Sequence, residues 1–491
     1  MSAQESSPTS ILSLIQRNRL AAAGLALIAA ALLLPIWIVR FPPLLDYPNH
    51  LASSFVLARL HNSSYDFGQY YTASWGLKPY IATDFLMGAL GRVMPQLIAG
   101  KIVLSLGVLG LPLAAWFFLR QANPGENAPA LWVLLGVHNL FFLYGFVGFY
   151  CSLAMMFLAL GLWLRWLKTR SFNLWILTFL ALMATYFAHL IGFLFAGVVI
   201  GLYSITHPNL REWLRSAALL VAGGIFYFIS SRAAESQTGG ADFRTLHDKL
   251  QAFLLILHGY SSRLDQVSIA AIVFFFFFAW LRNREFQWQW RWLVVASGLV
   301  ITFAVLPNGF GEGYDIDIRV LSVLFVVLFA TARMGRRGWR LAPLALLLFA
   351  ARTFNLTSHF RAAQPEMAGM AEAFSKTTPN VRVLPIVAGH DEDPILQYYA
   401  HFWAYGVIER GWFSPYLLES PGLLPLHIKT DSYTLDGFWG LSYNERVDWA
   451  QVQEDYDYVW AYDVPDYETG LRSAGDLIYS SGKLKFFKIR K

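Results

Sequence analysis

The chain has a single cysteine, Cys151, among 491 residues, which excludes an intrachain disulfide and any cysteine-rich metal site. Charge is scarce as well. Asp, Glu, Lys and Arg make up 14% of the residues, against roughly 25% in a soluble globular domain, so an ordinary soluble enzyme is excluded. There is no Walker A sequence, no G-x-G-x-x-G following a strand, no H-E-x-x-H and no G-x-S-x-G, and nucleotide hydrolysis and zincin-type proteolysis therefore have no motif to rest on. No internal repeat or low-complexity linker divides the chain.

What fills the sequence instead is apolar: 56% of residues are hydrophobic, and they fall in repeated blocks of about 15–20, close to the length that crosses a hydrocarbon core. Eleven windows qualify as spans: 20–39, 102–119, 130–146, 149–164, 173–187, 189–206, 214–230, 267–281, 291–307, 319–333 and 340–352. The block Leu20–Val39 is long enough to span, and Pro35-Ile-Trp-Ile-Val39 is too bulky for a signal-peptide cleavage site. The run Phe274–Phe278 reads as lipid-facing bulk.

Net charge is +6, but the basic residues lie in short clusters between the apolar blocks, which points to membrane orientation rather than to nucleic acid. The clusters Arg17/Arg19, Arg120, Arg165/Lys168/Arg170, Arg211/Arg215, Arg282/Arg284/Arg291 and Arg333/Arg336/Arg337/Arg340 share one side if the N-terminus is cytoplasmic. That holds only if Tyr80–Pro95 does not span. Sixteen helical residues reach only about 24 Å, and Asp84, Gly88, Gly91 and Arg92 share a face opposite Phe85, Met87 and Leu90. The segment is read as an interfacial amphipathic helix. Residues 1–352 then form the membrane domain, with outer loops 40–101 and 231–266. Residues 353–491 form a polar outer α/β domain with strand-like runs Val381–Val387, Tyr456–Tyr462 and Leu484–Ile489. The absence of disulfides and of long tails fits a bacterial inner membrane, with the C-terminal domain periplasmic.

Three places carry candidate chemistry. The first outer loop opens Phe41-Pro-Pro-Leu-Leu-Asp46-Tyr-Pro48-Asn49-His50, where Pro48 suits the first turn of a helix and places Asp46 just before it. A partly desolvated carboxylate there suits proton abstraction; alternatively, Asp46 caps the helix. His189 interrupts an apolar hairpin at its outer turn, an intramembrane ionisable group of the kind that marks function or anchors the interface. The turn Pro307–Arg319 carries Glu312, Asp315 and Asp317 with one base, Arg319, which could hold a phosphate bidentately or pair with Asp315 or Asp317. Asp84 and His50 complete the candidate set. Lesser features are His390-Asp391-Glu392-Asp393, read as a solvated turn; His138-Asn139 and Gly145–Gly148, read as packing; and an amphipathic loop helix bordering a site (Glu235, Asp242, Arg244, His247, Asp248, Lys249).

This layout, a basic-inside first span, a long first outer loop with an acid just past the membrane, interfacial helices and a terminal outer domain, resembles the GT-C superfamily of membrane glycosyltransferases. It is similar to the branch with protein mannosyltransferases and lipid A aminoarabinose transferases. The resemblance implies a polytopic α-helical fold and sugar transfer, with inversion, from a polyprenyl-phosphate donor to a glycan, lipid or protein acceptor on the outer face. Asp46 matches the position of that family's first-loop base. The family's common acidic pair is replaced by Asp46-Tyr47, so no metal or other cofactor is expected. By placement, His50, Asp84, His189, Glu312, Asp315, Asp317 and Arg319 would bind substrate, with Arg319 on the donor phosphate. A flippase or an assembly subunit for lipid-linked glycans is the competing reading; against transport, polar groups gather at one face rather than at the midplane.

Overall fold

Apolar blocks in a bilayer fold as helices because each backbone amide and carbonyl, out of reach of water, must find its partner within the segment. The computed structural model describes residues 19–207, 209–232, 240–282, 285–311, 313–388, 394–420, 422–435 and 447–491. Its longer helices are α1 (Arg19–Trp37), α2 (Tyr47–Arg59), α3 (Ile81–Leu90), α4 (Gln96–Ala122), α5 (Val147–Thr169), α6 (Phe172–Ala188), α7 (Leu190–Ile205), α8 (Leu210–Arg232), α9 (Leu246–Phe253), α10 (Ser262–Arg282), α11 (Trp290–Val305), α12 (Ile316–Leu328) and α13 (Ala342–Glu372). Among the described residues, five helical stretches are long and apolar enough to cross a membrane, in α4, α5, α8, α10 and α13; α1, α6, α7 and α11 are apolar but shorter.

The expected count of eleven spans is not reproduced, for reasons visible in the chain. Window 130–146 is no single helix. It breaks into Ala128–Val133, a 3-10 turn Leu134–Gly136, and Leu140–Leu143. Gly136 lies against the Phe325 ring, and the Asn139 side chain accepts from the amides of Phe141 (3.0 Å) and Phe142 (3.1 Å), starting a new turn. Most of the stretch is buried within the protein, where irregular backbone is tolerated at membrane depth. Window 319–333 is the 13-residue α12, and window 340–352 is the start of the 31-residue α13, about 46 Å long. Within Phe274–Phe278, Phe274 and Phe277 are exposed, but Phe275 is buried against Trp132.

Small residues set the central seam. A Cβ on Gly161 of α5 would lie 2.5 Å from the Phe117 ring of α4, and one on Gly110 would lie 3.2 Å from Ala154. This close approach is how apolar helices gain dispersion contacts where no hydrophobic drive separates them from lipid.

α3 is ten residues long, about 15 Å, consistent with an interfacial helix rather than a span. Its polar face turns inward, with Asp84 buried and Gly88 packed on Ser54 and Ala58 of α2, while Phe85 is exposed. Met87, expected beside Phe85, is buried as well.

The tail holds a four-stranded sheet in the order β1 (Val383–Val387), β2 (Tyr458–Tyr462), β4 (Leu484–Ile489), β3 (Gly475–Ser481), with β1 and β2 parallel and the other pairs antiparallel. Trp403, Trp412 and Trp460 fill its core with Phe374 and Phe486. It is not a free-standing module. α13 runs unbroken past residue 352 and anchors the sheet through Glu366, which accepts from the Tyr462 hydroxyl (2.6 Å) and the Tyr398 hydroxyl (3.0 Å). The first outer loop is knitted to the tail by strand pairing of Tyr71–Ala73 with Leu426–Ile428 and by Gln364, which bonds the backbone of Phe41 (2.9 Å).

Candidate functional site

Asp46 is placed by backbone. The amide of Leu45 donates to the Leu143 carbonyl (3.2 Å) and that of Asp46 to the Tyr144 carbonyl (2.8 Å). Gly145, at φ +71°, makes this approach possible: a Cβ there would lie 2.5 Å from the Tyr47 amide nitrogen. The Asp46 carbonyl then accepts from the amides of Asn49 and His50 (both 3.1 Å), opening α2. The carboxylate itself makes no capping bond, so the capping alternative falls away. It stands 3.1 Å from Nε2 of His401, a residue of the tail, and its side chain is 16% exposed.

Arg319, the fourth residue of α12, is 8% exposed. Its guanidinium lies over the rings of Phe146 (4.7 Å) and Phe149 (5.3 Å). Nη2 donates to the Tyr314 carbonyl (3.0 Å), Nη1 faces Nε2 of His189 (3.1 Å), and Nε, also buried, has no hydrogen-bond partner among the described residues. His189 begins α7, where its Nδ1 accepts from the Ile191 amide (3.2 Å). A neutral imidazole has one acceptor nitrogen. Two donors, the Ile191 amide and Arg319, therefore contend for it. His189 is itself 5% exposed and lies against Arg319.

The two halves meet. His50 feels burial, which lowers its basicity, then Asp46, which raises it, then His401 and Arg319, which lower it. Segment 145–149 is the hinge of the arrangement: Gly145 seats Asp46, Phe146 and Phe149 hold Arg319, and Gly148 packs against the Ala188 carbonyl beside His189. The reading of Gly145–Gly148 as packing residues is right, and what they pack against is the site.

Asp315 and Asp317 are committed elsewhere. Arg244 bonds Asp315 (2.6 Å), and the fully buried Asp317 lies 3.1 Å from Lys249 Nζ and 3.4 Å from Arg244 Nε. The expected pairing of either acid with Arg319 is therefore replaced by pairing with the α9 segment, whose start is fixed by a Thr245–Asp248 capping box. That leaves Asp317 unavailable to a substrate, a correction to its expected role. Asp84 is likewise not drawn into the constellation; burial alone pushes its carboxyl up to about 7. Glu312, Glu235 and His390–Asp393 lie outside the described residues. Among the described residues, no three His, Cys, Asp or Glu side chains converge as on a metal ion. A separate cleft has Leu143, His138, Asp265 and Arg352 in its wall and is lined by none of Asp46, His50, His189, Arg319 and His401.

Sequence reasoning missed His401, Asn49 and Tyr80. Asn49 is wholly buried: its Oδ1 accepts from the Leu418 amide (2.8 Å), and its Nδ2 donates to the Tyr416 carbonyl (2.8 Å) and lies 3.3 Å from His401 Nδ1. Tyr80 sits at φ +68°, uncommon for a bulky residue, with its ring edge-on to His189 (4.1 Å); burial pushes its hydroxyl up to about 12. The run Tyr398-Tyr-Ala-His401-Phe-Trp-Ala-Tyr405, an apolar island in a polar tail, was the available signal for His401.

No protein-family model matches this chain, and no curated protein does. Solved structures do. ArnT from Cupriavidus metallidurans in the apo state aligns at TM-score 0.53 and 11% identity over 95% of this chain and 98% of that one. The same protein bound to undecaprenyl phosphate aligns at TM-score 0.52 and 12% identity over 96% and 98%. The chain thus has the fold of ArnT over about 95% of its length, with a small sheet domain at its C-terminus.

Proposed function

We propose that the protein transfers a sugar from a polyprenyl-phosphate donor to a hydroxyl acceptor at the outer face of a bacterial inner membrane, with inversion. The observation that carries this reading is the state of Arg319. It is a buried guanidinium with one N–H unpartnered, another contending for His189, and the neighbouring acids occupied by Arg244 and Lys249. Such a group calls for an anion. A phosphate monoester or diester supplies several acceptor oxygens at once.

The step this permits is an in-line displacement. The acceptor oxygen attacks the anomeric carbon, the bond from that carbon to the phosphate oxygen breaks, and the acceptor proton passes to the Asp46 carboxylate. Charge building on the departing lipid phosphate is met by Arg319, whose donors are already in place and cost no reorganisation. The structure of ArnT with undecaprenyl phosphate supports the choice of anion, since the same fold holds that lipid there. The polyprenyl tail would stay in the bilayer beside the helices while its headgroup enters the site. His50 and Tyr80 would border the sugar, and Asp315, tied to Arg244, would fix the loop that carries Arg319.

The test is purified protein in nanodiscs with radiolabelled polyprenyl-phosphate sugars and a membrane extract as acceptor. Transfer by the wild type, abolished in Asp46→Asn with folding and insertion intact, is expected. Unchanged product formation by Asp46→Asn would remove Asp46 from the mechanism, and movement of donor across the bilayer without cleavage would replace the transferase by a flippase.

A further inference from the structure

The geometry points to His401 as the positioning residue for Asp46, so that the C-terminal domain completes the site formed by the membrane helices. The inference rests on the transferase reading above and adds to it a role for a residue some 350 positions away in sequence.

The hydrogen-bond pattern fixes the proton on His401. Asn49 must present its oxygen to the Leu418 amide (2.8 Å) and its nitrogen to the Tyr416 carbonyl (2.8 Å), so its amide cannot be flipped. The Asn49 nitrogen then donates towards His401 Nδ1 at 3.3 Å, which makes Nδ1 the acceptor. In the neutral ring the proton therefore sits on Nε2, and that nitrogen lies 3.1 Å from Asp46 Oδ1 in ion-pair contact. His401 is 3% exposed and Asn49 is wholly buried. A ring nitrogen held against one oxygen of Asp46 restricts the carboxylate and leaves its other oxygen to take a proton, the part that a third group plays for the base in general. Because Asn49 lies three residues after Asp46 on α2 while Tyr416 and Leu418 belong to the tail, the same network also sets how the tail sits on α2.

The test compares His401→Phe with His401→Gln in full-length protein in nanodiscs. Phe fills the space without a donor; the Gln side-chain nitrogen can reach the place of Nε2. His401→Phe is expected to lower kcat about 100-fold, the low end of what a positioned general base contributes, with KM for the polyprenyl-phosphate sugar within about twofold. His401→Gln is expected to recover at least a tenth of wild-type kcat. Equal loss in both variants, a change confined to KM, or no loss in His401→Phe would overturn the role. Juxtaposition is read without activity from an Asp46→Cys/His401→Cys double variant in a Cys151→Ser background, which is expected to be bridged by a short bis-methanethiosulfonate cross-linker. Absence of the cross-link overturns the inference at its geometric root. A wild type that transfers no sugar while the cross-link forms overturns the transferase reading, and the role with it; an active wild type with an unaffected His401→Phe overturns the role alone.

Discussion

Two buried arginines separate binding from stability. Arg352, 11% exposed at its side chain, bonds Asp265 at 2.6 Å and the Leu257 carbonyl at 2.6 Å, and Asp265 in turn accepts from the Gly259 amide (3.0 Å). Arg352→Gln would strand a buried carboxylate, which costs about 3–5 kcal/mol. Arg319→Gln strands no carboxylate, because Asp315 and Asp317 are held by Arg244 and Lys249. It also removes a desolvated cation with an unmet donor. Its effect on unfolding is therefore expected to be within about 1 kcal/mol, with either sign. Catalysis should reverse the order. Loss of a preorganised donor to developing charge costs roughly 100- to 1,000-fold in kcat, so Arg319→Gln loses transfer while Arg352→Gln, at temperatures where it is folded, retains most of it. Thermal unfolding in detergent and transfer in nanodiscs measure the two quantities on the same preparations. Undecaprenyl phosphate adds a third: it should raise the Tm of the wild type and of Arg352→Gln by mass action but not that of Arg319→Gln. An Arg319→Gln protein that is as unstable as Arg352→Gln, or that is still stabilised by the lipid, would refute the assignment of Arg319 to the phosphate.

Gly145→Ala puts a methyl against the Tyr47 amide at a backbone angle that disfavours L side chains, so it should cost about 1–3 kcal/mol and displace Asp46, seen as a lowered Tm and a fall in kcat larger than that of Gly24→Ala, where the space is open. Lys249→Met leaves Asp317 with the 3.4 Å contact to Arg244 and the Ile318 amide (2.8 Å) and should lower stability by about 3 kcal/mol, measured by thermal unfolding. Asp84 supplies a pH signature. Its folded-state pKa of about 7 lies above its ordinary 3.8, so between those values the folded chain binds more protons than the unfolded one. Stability contributed by this group is therefore lost as pH rises from about 4 to about 7. Asp84→Asn should flatten that part of a Tm-against-pH curve and leave transfer intact; an unaltered curve would place the group in solvent.

How far the chain was legible from its residues depends on the range of the interactions involved. Helices are local: the apolar blocks, the interfacial α3, the strands at 383–387, 458–462 and 484–489, and an acid held just before α2 could all be read from neighbouring residues. The ArnT-like fold was legible in their order. What could not be read was whatever a distant segment decides. Window 130–146 has the composition of a span, yet Gly136 meets Phe325 and Asn139 starts a new turn, so tertiary packing overrides its periodicity. Asp315 and Asp317 look like natural partners for Arg319 because they lie two and four residues away, but a rigid α12 start turns them towards Arg244 and Lys249, some seventy residues upstream. This exchange of partners has a functional consequence. Had the nearby acids satisfied Arg319, it would be a structural ion pair; because cations from α9 and the segment before it satisfy those acids, the guanidinium is left charged, buried and short of acceptors beside Asp46. A local salt bridge would have been cheaper to fold. The fold keeps Arg319 short of partners at the place where a phosphate would complete them.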